Sequence, residues 1–130
     1  MTDVYKRLAQ KLDDLPNGYP ATESGVELKI LEHIFTPEEA EMTLNMRPMP
    51  ETVEAVAERV GKSVDEMQAI LDNLVERGQI GSFKMFGQRM YMLFPFIVGI
   101  YEFQNKRMNK ELAELFEEYA PELIKTVGSF

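Results

Sequence analysis

The spacing of Thr52, Gly61, Ser63 and Gly78 constrains what this chain can fold into more than any other feature. Val53, Val56, Ala57 and Val60 fall on one face of a short helix, which Thr52 can cap at its start and Gly61 can end. Only Gly61, Lys62 and Ser63 separate it from a second helix, within the roughly three to four residues that a helix-turn-helix corner uses. Ser63 and Glu66 form a capping box. Val64, Met67, Leu71, Leu74 and Val75 then make an apolar stripe at helical spacing, and Gly78 closes the helix. Residues 80–85 and 88–93 are rich in aromatic, β-branched and methionine residues, and they flank Phe86 and Gly87, a hairpin signal. The order helix, corner, helix, hairpin predicts a mostly α chain with a small β-hairpin. The fold expected is a winged helix-turn-helix with additional N- and C-terminal helices, in a single domain over 1–130 with its core at about 22–94.

The flanks read as helices too. Val4, Leu8, Leu12 and Leu15 put one apolar stripe on a helix over about 3–15, which runs into a turn cluster of Pro16, Asn17, Gly18 and Pro20. Thr22 or Ser24 can cap the next helix, whose apolar residues are Val26, Leu28, Ile30, Leu31, Ile34 and Phe35. Thr36, Pro37, Glu38 and Glu39 start another: a cap, a proline in the first turn, then acids at the positive end of the dipole. Arg47, Pro48, Met49 and Pro50 predict an extended connector. After the hairpin, a break at Phe94, Pro95 and Phe96 precedes a long helix over about 96–120. That helix is apolar nearly all round at first and amphipathic later, with Leu115 and Tyr119 inward and Glu114, Glu117 and Glu118 outward. Pro121 interrupts or ends it, and 120–130 reads as helix remnant and linker.

Composition narrows the chemistry. The 130 residues suffice for one genuine core, and the absence of cysteine removes disulfides, thiolate nucleophiles and cysteine-ligated metal or cluster sites from this chain. His33, the single histidine, sits in a helix between Ile30 and Ile34 with no recognisable partner. Adjacent carboxylates such as Glu38 and Glu39, or Glu117 and Glu118, point about 100° apart on a helix and read as solvated faces. No GxxxxGK[ST] or GxGxxG motif occurs. Neither a catalytic nor a metal site is expected, and the chain reads as a non-enzyme. The first residues lack the layout of a secretory signal, and the most apolar run, 90–101, is short for a membrane span and contains Pro95 and Gly99. A cytoplasmic location is expected.

Two surfaces remain for binding. A winged helix that reads DNA lays the second helix of its motif in the major groove. Candidate contacts are then Arg59, Lys62, Asn73, Arg77, Lys84, Gln88 and Arg89, with Gln68 a further group able to reach a base edge. Against this, Asp65, Ala69, Asp72 and Glu76 share the face opposite Met67 and Leu71, and Glu66 flanks them. The net charge of -8 adds to the repulsion. DNA is therefore a disfavoured partner. The second surface is apolar: the run 90–101 holds more hydrophobic area than one hairpin and one helical turn usually bury, and the candidate interface residues are Phe96, Ile97, Ile100, Tyr101, Phe103, Met108, Leu112 and Phe116. These residues either pack on their own domain or form an interface with a partner or a second copy, and a homodimer is expected.

Three separated segments carry a resemblance: LPNGYPATESGVEL at 15–28, TPEEA at 36–40 and FPFIVGIYEF at 94–103. In that order they resemble the amino-terminal winged-helix region of bacterial 4Fe-4S ferredoxin-type proteins. In that group the region precedes a ferredoxin-like part that binds two clusters through CxxCxxCxxxCP motifs. The resemblance spans about 8–119 and implies a module for protein interaction or regulation, with the clusters held only in a C-terminal region missing here. This chain has no cysteine, so no cluster ligand carries over to any of its positions and no cofactor is expected in it. More broadly the pattern is similar to winged regulators of the MarR and ArsR types, which imply a DNA-binding regulator instead.

Overall fold

The structure, a computed structural model, describes residues 3–127, with side chains through 123 apart from Val98. Among the described residues it contains seven α-helices and one two-stranded antiparallel hairpin. The helices are α1 (Val4–Asp13), α2 (Val26–Ile34), α3 (Pro37–Leu44), α4 (Val53–Val60), α5 (Val64–Glu76), α6 (Tyr101–Phe103) and α7 (Lys110–Val127); the strands are β1 (Gly81–Met85) and β2 (Gln88–Met92).

Local chemistry explains most of these boundaries. Asp3 accepts the Tyr5 N–H to start α1. Thr36 and Glu39 make a full capping box on α3: the Glu39 N–H donates to Thr36 Oγ1 (3.1 Å) and the Thr36 N–H to Glu39 Oε1 (2.9 Å). Thr52 accepts the Ala55 N–H at the head of α4, and Gly61 ends that helix at φ +82°. Ser63 accepts the Glu66 N–H, and its hydroxyl donates to the Glu66 carboxylate (3.1 Å), so the pair bonds side chain to side chain. The end of α5 is a Schellman closure: the Gly78 N–H reaches Val75 O (3.0 Å) and the Gln79 N–H reaches Leu74 O (2.9 Å), with Gly78 at φ +70°. The start of α2 differs from expectation. Its cap is Gly25 at φ +75°, with no side-chain bond of its own, while Thr22 and Ser24 accept the N–H groups of Gly25 and Val26.

The hairpin pairs Gly81 with Met92 through Met85 with Gln88, joined by Phe86 and Gly87. The extended connector before α4 joins its other side. Glu51 and Tyr91 exchange both backbone hydrogen bonds (3.0 and 2.8 Å), and the Leu93 N–H donates to Arg47 O (2.8 Å).

The expected single helix over about 96–120 is not what forms. Residues 96–107 are an irregular helical run: a wide π turn at Phe96–Ile100, α6, then a tight 3-10 turn at Gln104–Arg107. Phe94 packs closely on the backbone at the start of this run, its ring and Cβ occupying the places that side chains at Gly81 and Gly99 would take. The chain then extends at Met108, and Asn109 begins α7 by accepting the Leu112 N–H (2.8 Å). Pro121 lies inside α7, which continues to Val127. Its missing N–H frees only the carbonyl of Glu117, an exposed residue whose C=O water can reach. Residues 128–130 lie outside the described residues.

One core runs through all of this. Leu8, Leu12, Ile30, Leu31, Ile34 and Phe35 meet Val56, Met67, Leu71, Leu74, Tyr91 and Leu93, and α7 adds Leu112, Phe116, Tyr119 and Leu123. Tyr19 anchors the turn cluster in that core. Its hydroxyl donates to Glu27 O (2.6 Å) and its ring packs 4.6 Å from Phe96.

Candidate interaction surface

Because Met67, Leu71 and Leu74 face the core, the opposite side of α5 is fixed in solvent. Asp65, Ala69, Asp72 and Glu76 are all exposed there, as their spacing predicts. Gln68, which sequence reasoning offered to a base edge, turns back instead. Its Nε2 donates to the Tyr91 hydroxyl (2.6 Å) and to Asp72 Oδ1 (3.0 Å), and the Tyr91 hydroxyl also reaches Asp72 (3.2 Å). Burial, with the Asp72 carboxylate, pushes the Tyr91 hydroxyl above the usual phenol range despite the bond from Gln68. This cluster braces the hairpin against α5.

The seven residues considered for nucleic acid divide into two groups. Arg59 forms an ion pair with Glu51, which is only 9% exposed, and donates to Asn45 O (2.8 Å). Asn73 donates to Glu39 Oε2 (3.0 Å). Arg77 Nε lies 2.8 Å from the same oxygen, in a geometry that makes an ion pair and not an aligned hydrogen bond. Those three groups tie the fold together. Lys62, Lys84, Gln88 and Arg89 stay exposed.

Glu39 is the hub that sequence reasoning reduced to a helix-start acid. Besides Thr36, Asn73 and Arg77, it accepts a bond from Gln79 Nε2 (2.9 Å), which also donates to Ile34 O (2.6 Å). Burial pushes this carboxyl up, but the bonds from Thr36, Gln79 and Asn73 and the Arg77 charge outweigh it and hold it below the usual carboxylate range. The network continues at the end of α5. Gln104 donates to Gly78 O (3.0 Å) and Arg107 to Arg77 O (2.9 Å), which fastens the 96–107 run over the root of the hairpin. The T-x-x-E capping signal pointed to Glu39; nothing local pointed to Gln79, forty residues away.

The hairpin tip is the most exposed apolar feature of the described residues. Phe86 is 98% exposed and sits at φ +52°, followed by Gly87 at +79°. Both positive angles belong to a two-residue turn that suits Asn-Gly or Gly-Gly, so a phenylalanine here is strained as well as exposed. Lys84 and Arg89 stand directly opposite one another one residue pair from the tip, a like-charge pairing that weakens a hairpin. No acid occurs between Glu76 and Glu102, although the chain holds 22 of them.

The apolar residues assigned to a dimer or partner interface are mostly interior. Phe96, Ile100, Leu112 and Phe116 lie in the chain's own core. Tyr101 packs its ring 4.7 Å from Phe116 and is half-buried, as is Ile97. Only Phe103 and Met108 are appreciably exposed, at 37% and 36%. The excess area of this run is covered because α7 folds back over it, and those four buried residues pack within their own chain.

His33 lies 3.5 Å from Glu111 across α2 and α7, on an exposed rim beside Lys29, Glu32 and Glu114. Among the described residues no group of three or more histidines and acids is arranged to hold a metal, and no helix is long and apolar enough to cross a membrane. A cleft between α3 and α5, of about 470 Å³, is lined by Met42, Ala69, Ile70 and Leu74 and by the polar Glu38, Glu39, Lys62 and Asn73. Comparison of the chain with family models, with curated proteins and with solved structures returned no match.

Proposed function

We propose that this chain is a winged helix-turn-helix module that acts by binding another protein, without catalysis, as the companion of a ferredoxin-type iron–sulfur region. The winged reading is supported by the order of elements. It is supported further by the isolated Glu51–Tyr91 bridge, which ties the extended connector ahead of the corner helix to the free side of β2. The resemblance at 15–28, 36–40 and 94–103 supports the iron–sulfur companion.

One observation carries the choice of protein over DNA. The solvent face of α5 presents Asp65, Asp72 and Glu76, while Arg59 and Arg77 are paired with Glu51 and Glu39 and the exposed Asn73 is hydrogen-bonded to Glu39. A helix with that face meets phosphates with like charge. The test is fluorescence anisotropy of the purified chain with mixed-sequence duplex DNA at low salt, beside calorimetric titration with a two-cluster ferredoxin domain. Binding to the ferredoxin domain and none to DNA is the expected result. Sequence-selective DNA binding would overturn it.

The second reading, a DNA-binding regulator, is favoured by the acid-free hairpin with its exposed Lys84, Gln88 and Arg89. On that reading the same anisotropy titration gives an affinity that falls steeply with salt and drops again in a K84Q/R89Q double variant.

A further inference from the structure

We propose that Phe86, at the hairpin tip, seats in the cleft between α3 and α5 of a second copy of this chain, with Lys84 and Arg89 facing the acids around it. This rests on the reading of the chain as a protein-interaction module and names its partner. Three observations converge on it.

The tip is built for contact. An L-residue at φ +52° carries backbone strain that asparagine or glycine would relieve, and a phenylalanine that is 98% exposed recovers nothing within its own chain. Lys84 and Arg89 add a repulsion across the same two strands. Among the described residues neither forms an ion pair within the chain, and Arg89 makes only a 3.4 Å contact with the Ser82 hydroxyl. An acidic partner surface relieves that repulsion.

The socket has the matching character. The α3–α5 cleft is lined by apolar Met42, Ala69, Ile70 and Leu74 together with Glu39 and Asn73, and is large enough to admit a phenyl ring. Glu38 in its lining and Asp65 and Glu66 in the first turn of α5 are exposed. Lys62 is the single cation lining it.

Charge selects the occupant. A cation-bearing, acid-free tip on a chain of net charge -8 is complementary to the body of another copy. Duplex DNA approaching the same hairpin would bring phosphates toward Asp72 and Glu76, and an anionic bilayer would face the whole acidic body. An aromatic anchor in an apolar pocket, ringed by charge, is also the usual form of an interface hot spot.

The experiment is light scattering of the intact chain from micromolar to millimolar concentration, at low and then moderate salt. The expected result is a mass that rises with concentration and falls back as salt is added. Phe86→Asn, which suits the same backbone angle and leaves circular dichroism unchanged, weakens the association by about 30-fold or more. Ala69→Arg, at an exposed helix position, fills the cleft and does the same. Mixing the two variants restores a heterologous pair, because one keeps its socket and the other its tip. A monomer mass at every concentration overturns the proposal, as does undiminished association of Phe86→Asn. Phe86-dependent binding to duplex DNA or to phosphatidylserine vesicles by a monomeric chain overturns it too, and assigns the tip to that partner. A monomer that still ignores DNA and still binds the ferredoxin domain removes the second copy and leaves the interaction-module reading standing.

Discussion

Replacing Glu39 by alanine removes the joint between α3, α5 and the root of the hairpin. The bond from Gln79 is the largest loss. Gln79 is fully buried, and its Nε2 keeps only Ile34 O when the carboxylate is gone. A hydrogen bond to a charged acceptor contributes about 1.5–3 kcal/mol, so about 2 kcal/mol is assigned here. The bonds from Thr36 N–H and Asn73 are exposed to competing water, so only about 0.5 kcal/mol each is assigned to them. The Arg77 pair, with its guanidinium 31% exposed, adds up to about 1 kcal/mol. The sum is about 3–4 kcal/mol, a fall of roughly 11–15 °C in Tm for a chain of this length. Urea unfolding followed by far-ultraviolet circular dichroism measures it. Glu39→Gln keeps the shape and one acceptor oxygen and should lose only about 1–2 kcal/mol.

The same residue sets a pH signature. Its folded-state pKa is depressed below the ordinary value. Its stabilising contribution is therefore complete above the unfolded carboxyl value and is lost as pH falls through the lower, folded one. Glu39→Gln should flatten that part of the acid limb. Alanine at 39 within about 1 kcal/mol of the parent, or an acid limb identical in Glu39→Gln, would refute the hub.

Other substitutions test other joints. Arg59→Ala leaves the nearly buried Glu51 carboxylate without its ion pair and should cost about 2–4 kcal/mol by urea unfolding; a loss below about 1 kcal/mol rules out that role. Gly81→Ala drives a methyl group into the Phe94 ring, so overpacking of about 1–3 kcal/mol is expected, and a neutral change would mean the ring has somewhere else to go. Burial raises Tyr19 and Tyr119 well above the ordinary phenol range, with Tyr119 adding to the shift at Tyr19 and Glu27 to both. Their contribution is whole below the unfolded value of about 10 and is lost as pH rises through the folded ones. In an ultraviolet titration these two should ionise last, together with unfolding. Reversible ionisation of all five tyrosines in one step would contradict it.

What could be read from the sequence was what short range decides. The caps at Thr36, Thr52 and Ser63 and the closures at Gly61 and Gly78 involve partners within about one helical turn, so their spacing announces them. The exposed face of α5 follows from its apolar stripe in the same way. The exposure of Phe86 was legible too, since the residues of a two-residue hairpin loop point outward, but it was read only as a turn signal. The break before α7 was hidden because apolar residues continue through it. Asn109, three residues before Leu112, was the capping signal to notice. The engagement of Arg59, Asn73 and Arg77 was out of reach. Their role depends on which acid the fold brings beside them, and Glu39 lies more than thirty residues from Asn73 and Arg77 in the chain.

The buried polar network and the exposed tip have one physical logic. Buried Gln79 and Gln104, with half-buried Arg77 and exposed Asn73, are committed to α3, α5 and the hairpin root, which locks the corner to the helices behind it. The Tyr91, Gln68 and Asp72 cluster does the same for the hairpin stem. A stem held at both ends lets the tip carry a strained phenylalanine and two opposed cations without loosening the sheet. A rigid, pre-set projection loses little freedom on contact, so even one aromatic anchor can contribute to binding. An α5 that read DNA would meet phosphates with Asp65, Asp72 and Glu76. On the proposed reading the corner is a support and the hairpin is the part that would meet a partner.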